Sequence, residues 1–165
     1  MQLVKIFWFI SIIGAFAVNV LCYASFPPVV SYYFDIAGNP EMFIGKELFF
    51  YYTFAIILIA NILLSLLGKI PAYISKELLI VPRKKLWTQD INTRKELNKK
   101  LKEWVRGLAM LINFFIMTIL GFIANANTEN NFSISWVQYL LLFLAICWLI
   151  FFFPLFMRKP EVLRD

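Results

Sequence analysis

The sequence predicts an all-α integral membrane protein with four transmembrane helices, a short extracytoplasmic β-hairpin and a cytoplasmic interfacial helix. Three observations lead to this fold class. Apolar residues make up 61% of the chain, against about 45–50% in soluble globular domains. Four stretches have the roughly 20 apolar residues that a membrane helix needs. Nearly all basic residues fall on one side of these stretches. Together these observations predict that residues 1–165 form a single membrane domain.

The four predicted spans have no Asp, Glu or Arg in their interiors. They cover residues 3–26, 48–70, 107–126 and 136–156. The first span is long for the apolar region of a signal peptide, and no clear small-x-small cleavage pattern closes it. It is therefore expected to remain as a helix.

The distribution of charge predicts how the spans are oriented. Of the sixteen Lys and Arg residues, all but Lys46 fall on one side of the spans. Loops rich in Lys and Arg stay in the cytoplasm. Both termini and residues 71–106 are therefore expected to be cytoplasmic, and the loop 27–47 is expected to face outward. The predicted location is the cell membrane, crossed several times.

The net charge of +6 is explained by this orientation. The basic residues flank membrane spans, where anionic lipids of the cytoplasmic face are the nearest partner. A nucleic-acid surface would also need side chains that read or stack on bases. No nucleic-acid partner is expected.

The cytoplasmic segment begins irregularly, with Pro71 and Pro82 as helix breakers. An apolar patch at residues 78–81 is followed by basic residues and a tryptophan, a pattern typical of a membrane-surface segment. These residues are Arg83, Lys84, Lys85 and Trp87. The basic groups are expected to contact lipid phosphates, with the indole of Trp87 at the membrane interface.

The second half of the segment has helical periodicity from Asp90 onward. Asn92 or Thr93 is expected to cap this helix, and the spacing from Thr93 to Glu96 matches a capping box. The helix is expected to continue into the third span. It is either a docking platform for a cytoplasmic partner or an interfacial helix that leads into the membrane.

A few polar side chains are predicted to lie at membrane depth. They are Asn19, Asn61, Asn113 and Thr118. An amide in hydrocarbon needs a hydrogen-bond partner, so these residues are expected to bond across helices inside the bundle. The alternative is a polar pathway for an ion or proton, which normally uses ionisable residues that the spans lack at mid-depth.

The chain contains no histidine. It therefore lacks the commonest general base and the commonest transition-metal ligand. No catalytic residue, metal site or cofactor is expected.

The outer loop has the composition of a hairpin. Pro27 and Pro28 end the first span, and residues 29–36 are rich in β-branched and aromatic types. Turn residues come next at 37–40, and residues 41–45 provide a second short strand. Because a lone hairpin is only marginally stable, it is expected to lie on the helix bundle or among the headgroups.

These residues resemble the small membrane domain at the N-terminus of SdpI-type bacteriocin-immunity proteins. The shared outer pattern is Pro28, Tyr32-Tyr33-Phe34, Gly38, Pro40 and Gly45-Lys46. Downstream, the stretch from Ile80 to Trp87 resembles the family's Pro-Asn-Lys-x-Tyr-Trp sequence, and residues 92–106 resemble the helix that comes after that sequence in the family. The likeness covers residues 3–126. It implies a bacterial inner membrane and an immunity-like or sensing role.

Two departures limit what the resemblance implies. Tyr33 stands where that family usually has histidine, and Arg83 stands where it has asparagine. The family's proteins also have further spans. A proton- or metal-linked role of the histidine is therefore not expected in this chain.

Three functions are compatible with the sequence. The first is a non-enzymatic interaction protein that contacts a membrane protein or a second copy. Its candidate contact residues are Tyr32, Tyr33, Phe34, Asp35, Gly38, Pro40 and Lys46 in the outer loop, and Arg83, Lys84, Lys85 and Trp87 in the cytoplasmic segment. The alternatives are a protomer of an oligomeric channel or transporter and, with less support, a lipid-modifying enzyme that uses Asp35 and Glu41.

Overall fold

The computed structural model describes residues 2–35, 39–128 and 136–160. It is mostly helical and contains one two-stranded sheet. In chain order the elements are α1 (Gln2–Ser25), β1 (Val29–Phe34), β2 (Pro40–Gly45), α2 (Lys46–Leu67), two single 3₁₀ turns (Ile70–Ala72 and Lys76–Leu78), α3 (Lys84–Trp87), α4 (Ile91–Thr128) and α5 (Trp136–Met157).

Helices α1, α2, α4 and α5 are each long and apolar enough to cross a membrane. This confirms the four predicted apolar helices and is consistent with a multi-pass membrane protein. Successive long helices run in opposite directions through the bundle. The bundle therefore has a hairpin end, which carries β1 and β2, and a basic end, which carries residues 68–90 and the start of α4.

The predicted hairpin is confirmed. Its strands are antiparallel, with Val29 opposite Gly45 and Val30 opposite Ile44. The register shifts beyond Ser31, which marks a β-bulge in β1. At the strand ends, the carboxylate of Asp35 accepts hydrogen bonds from the backbone and side-chain N–H groups of Asn39, at 2.7 and 2.8 Å. The predicted turn residue Gly38 lies outside the described residues.

Helix α4 is continuous over 38 residues, so the predicted cytoplasmic helix and third span are one element. Its cap differs from the prediction of Asn92 or Thr93. Asp90 Oδ1 accepts from the backbone N–H groups of Asn92 and Thr93, at 2.6 and 2.9 Å, and Thr93 Oγ1 accepts from the N–H of Asp90. Asp90 is the N-cap residue because its carboxylate accepts hydrogen bonds from two of the unpaired backbone N–H groups at the start of the helix. These bonds, led by the one from Thr93, lower the pKa of Asp90.

The core sits along α4, on which α1 and α2 both pack. One buried cluster fastens the hairpin end. It contains Cys22, Phe26, Val30, Phe49, Leu120 and Ile123. A second buried cluster lies at the basic end. It contains Leu79, Trp87, Leu97, Leu101 and Phe156.

Helix α5 is held against α4 by a pair of tryptophans. Trp104 Nε1 donates to the carbonyl oxygen of Trp148 at 3.2 Å, and Trp148 Nε1 donates to that of Trp104 at 3.0 Å. Gly107 makes room for this contact. A Cβ atom there would lie 2.1 Å from Cζ2 of Trp148. Most other described side chains of α5 are exposed.

We expect Gly107→Ala to destabilise the fold by about 1–3 kcal/mol, because the added methyl group forces Trp148 away from α4. Gly121→Ala is the matched control in the same helix, since nothing lies within 4 Å of a Cβ added there. The control should be neutral or gain up to about 1 kcal/mol from helix propensity. Thermal unfolding of the purified protein in detergent, followed by circular dichroism, measures both. Equal stability of the two variants would contradict this account of the α4–α5 contact.

Candidate functional site

The hairpin presents an exposed, largely aromatic surface, which we call the aromatic hairpin face. It consists of Tyr32, Tyr33, Met42 and Phe43, whose side chains are 43–59% exposed. Tyr32 and Tyr33 are adjacent in sequence and would point to opposite faces of a regular strand. Both are exposed here because the β-bulge in β1 interrupts the alternation. Across the strands, Tyr32 Oη donates to Met42 Sδ at 3.4 Å.

The inner side of β1 is anchored to the helices. Val30 is fully buried in the cluster formed with Phe26 and Phe49. Phe34 was predicted as a contact residue, but it is half-buried and its ring meets that of Phe122 on α4, with the centroids 6.0 Å apart. Phe34 therefore helps to seat the hairpin.

Asn127, near the end of α4, pairs with the backbone of β1. Its Oδ1 accepts from the N–H of Ser31 at 2.7 Å, and its Nδ2 donates to the carbonyl oxygen of Ser31 at 2.8 Å. A second bond from Nδ2 reaches the carbonyl oxygen of Ile123, one turn back in α4, at 2.8 Å. The amide thus covers part of the outer edge of β1, as a neighbouring strand would, and fixes the hairpin to the bundle.

Two further predicted contact residues have internal partners. The backbone N–H of Lys46 donates to the carbonyl oxygen of Pro28 at 3.1 Å, and its ammonium nitrogen lies 4.9 Å from the centroid of the Tyr23 ring. Asp35 holds Asn39 across the turn. Both residues therefore fix the shape of the hairpin. Pro40 is exposed at the start of β2.

The predicted interfacial position of Trp87 is wrong. Its side chain is fully buried, and Nε1 donates to the carbonyl oxygen of Phe156 at 2.9 Å. The indole packs edge-on against Phe156, and the Lys100 ammonium nitrogen lies 5.2 Å from its centroid. The reason is that residues 79–87 fold back onto α4 and the end of α5, which buries Trp87 between them. Trp87 is a core residue of the basic end.

The basic residues next to Trp87 differ in accessibility. Arg83 and Lys85 are exposed, and Arg83 has a left-handed backbone conformation with φ of 52°. Lys84 is half-buried, and its Nζ donates to the carbonyl oxygen of Glu77 at 2.6 Å. Arg83 and Lys85 are therefore accessible at the surface, whereas Lys84 closes the loop.

Inside the bundle, four side chains form what we call the amide cluster, which joins α1, α2 and α4. Its members are Trp8, Ser11, Asn61 and Asn113. Asn61 and Asn113 exchange two hydrogen bonds, at 2.8 and 3.1 Å. Asn113 Nδ2 also donates to Ser11 Oγ at 2.9 Å, and Trp8 Nε1 donates to Asn61 Oδ1 at 3.0 Å. Asn113 is fully buried and Asn61 nearly so.

The other two predicted intramembrane residues differ from each other. Asn19 is buried, and its Oδ1 accepts from Thr53 Oγ1 on α2 at 2.7 Å, so it links α1 to α2. Thr118 requires a correction. It is half-buried, and its hydroxyl donates to the carbonyl oxygen of Phe115 within α4 at 2.8 Å. A threonine satisfies its hydroxyl on its own helix in this way without a neighbouring helix.

No family model matches the chain, and neither the curated proteins nor the solved structures include a significant match. The resemblance to SdpI-type immunity proteins therefore stays a prediction. Among the described residues, no group of three or more His, Cys, Asp or Glu side chains is arranged to hold a metal ion.

Several residues at these sites were not singled out from the sequence. Trp8, Ser11 and Asn127 each supply a side-chain hydrogen bond over a long sequence separation. The available signal was a polar atom within an apolar run, because such an atom needs a partner in hydrocarbon. That signal gives the need for a bond but not the identity of the partner, which depends on helix rotation.

We expect Asn113→Leu to destabilise the bundle by about 0.6–2 kcal/mol, because it removes the interhelical bonds to Asn61 and Ser11. Thr118→Val is the matched control on α4 and should have a smaller effect. The measurement is thermal unfolding in detergent of Asn61→Leu, Asn113→Leu and the double variant. The double variant should lose less than the two single losses combined, since each single variant already removes the two bonds between Asn61 and Asn113. Strict additivity would contradict the paired amides.

Proposed function

We propose that the protein is a non-enzymatic membrane interaction protein, an accessory, sensing or immunity-like subunit that contacts another membrane protein or a second copy through the aromatic hairpin face. The observation that carries this proposal is the combination of exposure and rigidity in that face. Tyr32, Tyr33, Met42 and Phe43 are exposed, while the strand beneath them is bonded to α4 by Asn127.

A fixed surface of this kind suits specific contact. Exposed aromatic residues and methionine are enriched in protein interfaces, and a preorganised surface loses less conformational entropy on binding than a mobile loop. Asn127 covers part of the outer edge of β1. The outer edge of β2, whose residues are mostly exposed, is then the edge at which a partner strand would add.

The proposed orientation places the hairpin end outside the cytoplasm and the basic end inside. It rests on the charge distribution, in which Lys46 alone stands apart from the other basic residues. The anionic lipids of the cytoplasmic face then meet Arg83 and Lys85, which are exposed at the basic end.

The two alternative functions have less support from the same contacts. A channel or transporter protomer needs polar groups directed at a pathway, whereas Asn61 and Asn113 are buried and bonded to each other. A lipid-modifying enzyme that used Asp35 would need its carboxylate free, and both of its oxygens accept bonds from Asn39.

Photocrosslinking in intact membranes tests the proposed contact surface. A benzophenone amino acid in place of Phe43 should give a discrete protein adduct, because this side chain faces the proposed partner. The same substitution at Tyr51 is the matched control, since it is an exposed aromatic residue on α2 near the hairpin end. It should give chiefly lipid adducts. Mass spectrometry identifies the partner, and an adduct of twice the monomer mass indicates a second copy.

A second variant separates contact from mere exposure. Asn127→Ala should free β1 from α4 and reduce the adduct at position 43. The aromatic residues of the hairpin face are not substituted in this variant. Lipid adducts alone at position 43, or equal protein adducts at positions 43 and 51, would contradict the proposal.

A further inference from the structure

A basic cleft of about 570 Å³ opens at the basic end of the bundle, between the end of α2 and the first half of α4. The side chains that give it its chemistry are Lys69, Lys99, Lys102, Arg106, Asn98 and Glu103. Lys99, Lys102 and Arg106 follow one another at helical spacing, so they share one face of α4. Four basic groups against one carboxylate make the cleft a site for an anion.

The walls of the cleft are held by specific contacts. Gly68 brings the end of α2 close to α4. A Cβ atom added to Gly68 would lie 3.6 Å from the Cα of Lys102. Arg94 donates from Nη2 to the carbonyl oxygens of Pro71 and Ile74, which fixes the turn that carries the neighbouring wall. The backbone positions that carry the basic groups of the cleft are therefore set by the fold.

An apolar groove of about 360 Å³ adjoins the cleft between α1 and α2. Lys69 lines both cavities. The guanidinium of Arg106, in the cleft, lies 5.8 Å from the centroid of the ring of Trp8, in the groove. From Ile57 to Leu66, the groove follows α2 for about 14 Å at 1.5 Å per residue. This length is close to half of the roughly 30 Å hydrocarbon thickness of a bilayer.

We propose that the cleft and groove together bind one anionic phospholipid. The lipid phosphate lies among Lys69, Lys102 and Arg106. One acyl chain lies in the groove between α1 and α2. This inference does not depend on the proposed function of the hairpin.

The apolar groove distinguishes a lipid from a soluble phosphate. The groove is lined by large apolar side chains, among them Ile12, Phe16, Leu58 and Ile62, and a soluble phosphate ester gains nothing from them. A lipid also reaches the site from the bilayer itself, where its local concentration is high. The occupant is therefore expected to bind through both ends of the site.

Native mass spectrometry of the purified full-length protein tests the site, with phosphatidylglycerol and phosphatidylcholine as probes. Phosphatidylglycerol should bind at least tenfold more tightly, given the several basic groups near its phosphate. Lys99→Gln with Lys102→Gln should reduce its binding about tenfold or more. Lys76→Gln with Lys95→Gln is the control, since both lysines are exposed outside the cleft and the change in net charge is the same. It should change binding less than twofold.

One more arm tests the part of the site that holds the acyl chain. Leu58→Trp should fill the groove and weaken phosphatidylglycerol binding about tenfold, whereas soluble glycerol 3-phosphate should compete poorly. Equal losses of lipid affinity from the two lysine pairs would show that binding depends only on general surface charge, and would overturn the proposal. Binding of glycerol 3-phosphate as tight as that of the lipid, unaffected by Leu58→Trp, would overturn it in favour of a soluble phosphate.

Discussion

The length of α4 is the constraint on which the rest of the structure depends. Its 38 residues extend about 57 Å at 1.5 Å per residue, nearly twice the roughly 30 Å hydrocarbon thickness of a bilayer. A helix of this length that crosses a membrane must also project beyond it. Its first half carries the charged residues and supports the segment around Trp87, while its other end holds the hairpin through Asn127. One rigid element therefore fixes the geometry of both ends.

Hydrogen bonds in the low-dielectric interior fix how the other helices meet α4. Apolar side chains alone select weakly among helix faces in lipid, since lipid tails are as apolar as leucine. The amide cluster adds a directional requirement, because rotation of α1 or α2 would break the bonds that Asn113 makes to Ser11 and Asn61. Hydrogen bonds from Asn127 likewise hold the hairpin against α4, and those between Trp104 and Trp148 hold α5 against α4. Each of these contacts with α4 thus includes at least one bond of fixed geometry.

The sequence was informative where a local pattern decides the structure. Apolar length predicted the four long helices, and the β-branched run with its turn residues predicted the hairpin. Sequence patterns failed where a tertiary contact decides. Trp87 followed basic residues and looked like an interfacial anchor, yet it is buried because the chain folds back onto Phe156. Thr118 looked like Asn113, but its hydroxyl bonds to the carbonyl oxygen of Phe115 in its own helix. Asp90 caps α4 in place of Asn92 or Thr93 because the helix begins at Ile91, a starting point that the residue types alone do not determine.

The continuity of α4 is the central claim, and one distance tests it directly. Spin labels at Lys95 and Asn125, both exposed on α4, can be introduced after Cys22 and Cys147 are replaced by serine. Double electron–electron resonance of the protein in nanodiscs should then give a single narrow distribution near about 45 Å, which is 30 residues at 1.5 Å each. A markedly shorter or bimodal distribution would show a break between the projecting half and the span, and would contradict the account of one helix that carries both ends.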